Sequence, residues 1–194
     1  MKKIMFNDAT LLTRKVIARQ KTKTRRVIPN SVLVNLGVNK HTFEQKKADL
    51  IKESPYNVGE VIAVAQCYQD IYNTLNTDIL RLNVLMASAG WSNKMFVRAE
   101  EMPHTIRILD IRAEQLQDIS EDDCLKEGIE VNPINTIKRL YGYEVVYNGP
   151  YMGSKYRWYG SIRDAFAGLI DRVSGKGTWE SNPYVYVYEF ELLA

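Results

Sequence analysis

Apolar positions near the start of the chain recur at helical spacing. Leu12, Val16 and Arg19, beside Ala9 and Thr13, predict a helix over about Asp8 to Arg19 with Asp8 as its cap. Residues 30–55 are polar and Lys-rich between Pro29 and Pro55, which predicts an irregular connection with a small helix near 43–52. The pattern changes at Val58. From there to Ala65 a β-branched, apolar run predicts a strand. Residues 69–92 mix polar and aliphatic positions and read as an insertion ending in Ser88-Ala89-Gly90. Strand character returns at Met95-Phe96-Val97 and, with alternation, from Thr105 to Ala113. Ser120 and Asp123 stand in a capping arrangement, Glu121 and Asp122 favour the positive end of the helix dipole, and Gly128 closes a helix of about two turns. A second insertion, Tyr-rich and punctuated by glycine, spans 138–160. The stripe Ile162, Ala165, Phe166, Leu169, Ile170 and Val173 predicts a core-facing helix from Ser161 to Val173. Tyr184 to Leu192 is a final strand, with Tyr184, Tyr186 and Tyr188 on one face and the core valines Val185 and Val187 on the other.

Four or five scattered strands, interleaved with short helices of unequal length, do not make βαβ units. They predict an α+β fold: a small mixed or antiparallel barrel with short helices at the rim and loop insertions. A site would sit where the loops collect.

With 194 residues, 45% hydrophobic and 25% charged, the chain suits one globular domain. No apolar run approaches the ~20 residues of a membrane helix, so no membrane partner is expected. The basic start Met1-Lys2-Lys3 is followed by too short an apolar stretch for a signal peptide, cut off by Asn7 and Asp8. Cys67 and Cys124 are far apart and read as packing residues of a cytoplasmic protein. No His, Cys or acidic group has ligand spacing, so neither a metal nor another cofactor is expected. His104, after Met102-Pro103, reads as structural.

Charge is what singles out one segment. Lys21-Thr22-Lys23-Thr24-Arg25-Arg26 packs four cations and two hydroxyls into six positions. Residues 1–30 hold nine Lys or Arg against the single acid Asp8, a net of +8, whereas the whole chain is only +3. The positive field is concentrated at one place, as an anion-binding surface requires. The segment also offers a lysine–hydroxyl pair for acyl chemistry. The tyrosines of 138–160, interleaved with Arg139, Lys155 and Arg157, suit either base stacking with phosphate contacts or packing of the rings with wet hydroxyls.

Several blocks, in order along nearly the whole chain, resemble one family. Arg19-Gln20-Lys21-Thr22-Lys23-Thr24-Arg25-Arg26 follows the first helix, and Tyr56-Asn57-Val58-Gly59-Glu60 enters a strand ending at Val64-Ala65-Gln66. Met102-Pro103 and Arg107-Ile108 precede Glu114-Gln115-Leu116-Gln117-Asp118-Ile119-Ser120-Glu121-Asp122-Asp123, then Glu127-Gly128-Ile129. The last block runs from Trp179 through Asn182-Pro183 to Phe190. In these the chain is similar to the ASCH-domain proteins of the PUA-like superfamily, and among them to the longer phage-associated members. Two positions depart from that pattern. Arg19 stands where a glycine usually ends the first helix, and the acid and tryptophan at the end of the first strand are missing, with Gln66 and Tyr68 nearby.

The resemblance implies a single PUA-like domain over 1–194 and two functions. One is binding of RNA or a nucleotide in a basic cleft built from Lys21, Lys23, Thr24, Arg25 and Arg26. The other is an amidohydrolase acting on an acylated nucleoside such as acetylcytidine, with Thr24 as nucleophile, Lys21 as base and Glu127 as proton carrier. A third reading is an accessory phage protein with no catalytic activity. In a regular strand Lys21 and Thr24 would project to opposite faces, so their convergence requires a turn between them. Taken alone, Glu127 reads as a surface residue in a last helical turn.

Overall fold

The computed structural model describes residues 1–75, 78–134, 139–147 and 153–193. Its elements begin with strand β1 (Lys3–Ile4), helix α1 (Leu12–Ile17), strand β2 (Lys23–Val27), and helices α2 (Asn30–Asn35) and α3 (Phe43–Lys52). Strand β3 (Val61–Val64) leads to helices α4 (Tyr68–Ile71) and α5 (Ile79–Ala87), then strand β4 (Thr105–Gln115) and helix α6 (Glu121–Lys126). Strands β5 (Glu130–Val131), β6 (Tyr141–Tyr147) and β7 (Gly153–Tyr159) precede helices α7 (Ile162–Ser174) and α8 (Thr178–Ser181) and the last strand, β8 (Tyr184–Leu192).

Five strands pair in the order β1-β3-β4-β8-β2, with β1 parallel to β3 and the other neighbours antiparallel. β5, β6 and β7 form a separate antiparallel sheet. The fold is thus α+β with mixed and antiparallel pairing. The closure that a barrel requires is not seen: among the described residues β1 and β2 remain the two edges of an open sheet. No described helix is long and apolar enough to cross a membrane.

β8 lies between β4 and β2 and is covered on both faces. Val185 and Val187 are buried as expected, and so are Tyr186 and Tyr188. α3 reaches this tyrosine face, where Phe43 stacks on Tyr184 at 4.1 Å between ring centres. The Tyr188 hydroxyl meets the Ser54 hydroxyl at 2.9 Å, whereas the Tyr186 hydroxyl is buried with no hydrogen bond among the described residues. A buried hydroxyl without a partner contributes only its desolvation cost. Tyr186→Phe is therefore expected to leave stability unchanged or raise it, while Tyr188→Phe lowers it by about 1 kcal/mol. Urea denaturation of the two variants checks the contrast.

Three expected elements are corrected. The first helix starts at Leu12, later than Asp8, because Leu11 at its N-cap adopts a left-handed conformation with φ 54°. Asp8 caps no backbone; its carboxylate takes the Thr13 hydroxyl and the Lys94 amine. Met95-Phe96-Val97 is not a strand. Lys94–Phe96 forms a 3-10 turn whose start is held by the Asn93 side chain accepting from the Met95 N–H. The alternation of β4 is broken by a bulge between Ile108 and Asp110, which leaves Leu109 exposed and returns Ile111 and Ala113 to the core beside Ile106 and Ile108.

Other expectations match the geometry. The Ser120 side chain accepts from the Asp123 N–H, and Gly128 ends that helix at φ +104°. The apolar stripe of α7 is buried against β6, β7 and the main core. Within 138–160, Lys138, Tyr151 and the other residues of 135–138 and 148–152 lie outside the described residues. The rest is the β6–β7 hairpin. In it Tyr143 is buried against Tyr159, whereas Tyr156 is half-exposed and stacks on Trp158 at 4.7 Å. The 69–92 segment joins a smaller core, where Ile71 and Leu85 pack with Tyr68, Val97 and Met102 on Ala63 of β3 and on Ala65 beyond its end.

Candidate functional site

The chain leaves α1 through a reversal at Arg19, whose φ of 59° does what glycine usually does at this place. The Gln20 N–H bonds to the Lys15 carbonyl and the Arg19 N–H to the Val16 carbonyl, closing the helix in a Schellman motif. This reversal precedes both Lys21 and Thr24 rather than lying between them, and the two residues nevertheless line one cavity, Lys21 from ahead of β2 and Thr24 from within it. Thr22 then bonds to the Lys126 carbonyl and accepts from the Phe190 N–H, which ties the segment between α6 and β8 before β2 begins.

Lys21 is 2% exposed and uses all three of its ammonium protons. It donates to the Lys23 carbonyl at 2.6 Å, to the Glu127 carbonyl at 2.9 Å and to Glu127 Oε2 at 2.5 Å. Burial pushes the amine below the ordinary lysine range, and the Glu127 carboxylate pulls it part of the way back. Glu127 is not the surface residue that its place in the sequence suggested; it is 4% exposed, and its Oε1 accepts from Arg25 Nη1 at 3.1 Å. Gly128 lets the end of α6 approach α1 closely, since a Cβ there would meet Leu12 and Lys15 at 3.2 Å.

The other cations of the segment divide between two places. Thr24, Arg25 and Arg26 join Lys21 and Glu127 in the wall of a cavity of about 220 Å³. The rest of its lining is mostly apolar, from Phe6 and Leu12 and from Phe166, Leu169, Ile170 and Val173 of α7. Lys23 is not part of that wall. It turns instead to Asp123 at 2.7 Å and Glu189 at 3.2 Å. Arg25 is bound to Glu114 at 2.7 Å and Asp123 at 2.8 Å as well as to Glu127. Arg26 has no carboxylate partner among the described residues; its guanidinium lies 5.7 Å from the centre of the Phe6 ring and donates to the Met5 carbonyl. The Thr24 side chain is buried at the cavity and has no hydrogen bond to a described residue.

The basic cleft inferred from composition is therefore largely balanced by acids distant in sequence. Asp123 is the centre of that balance, taking Lys23, Arg25 and, at 3.1 Å, Arg112. Burial would push its carboxyl up, but hydrogen bonds and charge from Lys23 and Arg25 outweigh it and hold the carboxyl at about 2. A carboxyl with a folded pKa below its unfolded value contributes stability above the unfolded pKa, and loses it as pH falls through the folded one. Asp123→Asn is thus expected to move the acid-unfolding midpoint to higher pH, in a titration followed by circular dichroism.

Composition missed Glu114, Asp123, Glu189 and the apolar wall. One signal was present: Asp123 and Glu127 are four apart in a predicted helix and so share its face. His104 stands outside the cavity, and its buried Nδ1 has no partner among the described residues. Among the described residues no cluster of His, Cys, Asp and Glu could hold a metal, and both cysteines are buried and unpaired.

No protein-family model matches this chain, nor does any curated protein sequence or any solved structure.

Proposed function

We propose that the protein is an amidohydrolase that removes an acyl group from the exocyclic amine of a nucleoside such as acetylcytidine. A single observation carries this reading: a buried Lys21–Glu127 pair at 2.5 Å shares a small cavity with the unbonded hydroxyl of Thr24. The volume, about 220 Å³, is below the ~300–1,000 Å³ of drug-sized pockets and suits one acylated base rather than a polymer. The apolar wall suits a planar ring and an acyl chain. The ordered resemblance to ASCH proteins supports the same reading, with the five-stranded sheet as the PUA-like core and the cytoplasm as the setting.

The chemistry balances on these groups and water. Transfer of a proton from Lys21 to Glu127 across their short hydrogen bond gives a neutral amine beside a protonated carboxyl. Thr24 Oγ1 attacks the acyl carbon as Lys21 takes its proton, and Arg26, without a carboxylate of its own, faces the oxyanion. The C–N bond breaks as Glu127 protonates the departing amine, leaving an acyl-threonine ester. Water then attacks the ester, giving its proton to Glu127, while Lys21 returns a proton to Thr24. The products are a carboxylic acid and the free base, and the pair is ready for another cycle.

A second reading is nucleotide binding without turnover. Its support is that Lys21 already has three acceptors, which favours the ammonium form. Incubation of the purified protein with acetylcytidine, with Thr24→Ala as control, separates the two. Release of cytidine by the native chain alone is expected. No release, together with saturable and salt-sensitive RNA binding, leaves only the binding reading.

A further inference from the structure

The cavity lies against the outer edge of β2, an edge strand of the five-stranded sheet. Thr24, Arg25, Arg26 and Val27 all line it, although successive side chains of a strand point to opposite faces. Four consecutive residues share one cavity where it meets the edge that their main chain forms. Register shows which groups stand on that edge. The Phe190 N–H bonds to the Thr22 carbonyl, and the Ile28 N–H bonds to the Tyr184 carbonyl. Between them, Thr24 with Tyr188 and Arg26 with Tyr186 are the pairs that exchange hydrogen bonds within the sheet. Lys23, Arg25 and Val27 therefore turn their N–H and C=O groups away from β8. The Lys23 carbonyl takes the Lys21 amine. Neither the N–H nor the carbonyl of Arg25 bonds to a described residue, yet Arg25 is only 5% exposed. A main-chain donor and acceptor enclosed without partners are costly to leave so.

We propose that this edge reads the substrate's base, the Arg25 N–H donating to a ring nitrogen and the Arg25 carbonyl accepting the N–H of the acylated amine beside it. The proposal rests on the hydrolase reading above. It narrows the substrate to amides of an amino group flanked by a ring nitrogen, as in an acylated cytosine or adenine. In an extended residue the N–H and C=O point the same way, a donor next to an acceptor, which complements that edge of the base. The main chain is held firmly for the task, because Glu114, Asp123 and Glu127 fix the Arg25 guanidinium. Asn7 is the rival reader, since it also lines the cavity. Its Oδ1 already accepts from the Thr10 N–H at 3.0 Å and from the Thr10 hydroxyl at 3.1 Å. What remains to Asn7 is an NH2 group, which offers donors alone and does not match a donor–acceptor edge.

Calorimetric binding to Thr24→Val, which holds the ligand without turning it over, is the test. Acetylcytidine is compared with its 3-deaza analogue, in which carbon replaces the ring nitrogen. The analogue should bind roughly ten- to hundredfold more weakly, the scale of leaving one enclosed amide unpaired. Adding Asn7→Asp keeps the acceptor for Thr10 and removes the side-chain donor, so the ratio of the two affinities should not change. As a second readout, saturating acetylcytidine should slow hydrogen exchange of the Arg25 N–H, and the analogue should not. Equal affinities, a ratio that vanishes with Asn7→Asp, or an Arg25 N–H unaffected by bound acetylcytidine overturns the proposal. Release of cytidine by the native chain is measured separately, so the two readings fail independently. Slowed exchange at Arg25 without turnover upholds recognition by this edge and removes the hydrolase, whereas no binding of acetylcytidine at all removes both.

Discussion

Glu127→Ala is expected to lower the unfolding free energy by about 3–5 kcal/mol at neutral pH, the range seen when one partner of a buried ion pair is removed. The cost falls mainly on Lys21. Arg25 keeps Glu114 and Asp123, but Lys21 retains only two backbone carbonyls for a charge enclosed in protein. The loss should depend on pH with a definite sign. Burial lowers the folded pKa of Lys21 in the native chain, and removal of Glu127 lowers it further. The unfolded chain then binds more protons than the folded one between the two pKa values, so stability rises with pH until the amine is neutral in both states. The deficit of Glu127→Ala is therefore largest near neutrality and smaller as pH approaches ~10.4, the ordinary lysine value. Lys21→Met combined with Glu127→Leu should regain most of the stability, since apolar groups of similar volume replace buried pairs at little cost. Urea melts of the native chain and the two variants at two pH values decide it. A single-variant loss under ~1 kcal/mol would mean that the pair behaves as an exposed one.

Thr24→Val should reduce the turnover of acetylcytidine by at least ~10³-fold, the scale on which loss of an activated nucleophile is felt. The substitution is nearly isosteric and removes a hydroxyl that holds no other group in place. KM and thermal stability should thus change little while kcat collapses. In the native chain kcat should fall as pH rises through an apparent pKa below that of an ordinary lysine, because burial lowers Lys21 and the proton then lost is the one that Glu127 gives to the departing amine. Stopped assays across pH measure both effects. Turnover by Thr24→Val within tenfold of native would remove the hydroxyl from the mechanism and point to direct attack by water.

Local rules made part of this legible. The Ser120 cap, the Gly128 stop and the apolar stripe of α7 each depend on residues within one helix, and the chain forms them as expected. Arg19 was legible as a difficulty: the segment needs a left-handed residue there, and the side chain accepts that conformation while its Nη1 bonds to the Leu192 carbonyl. What composition hid was non-local. Lys21 meets a carboxylate 106 residues onward, and Lys23 one 100 residues onward, so counting charge in a window of thirty overstates the field. The bulge in β4 was written in its spacing, since Ile108 and Ile111 are three apart and a strand of period two cannot bury both without an extra residue. The 3-10 turn at Lys94–Phe96 could not be told from a short strand by hydropathy, because its backbone is set by the Asn93 side chain and by Lys3, which donates to the Met95 and Val97 carbonyls.

The enclosure of Lys21, Lys23 and Arg25 also bears on how the molecule looks from a distance. Their charge ends on carboxylates a few ångströms away, so little of it extends across a Debye length into solvent. Retention on a cation exchanger or on heparin would be governed by outlying residues such as Arg14, Lys40 and Lys176. A small uncharged solute loses nothing by this arrangement, because it enters by diffusion and meets the cations only after arrival.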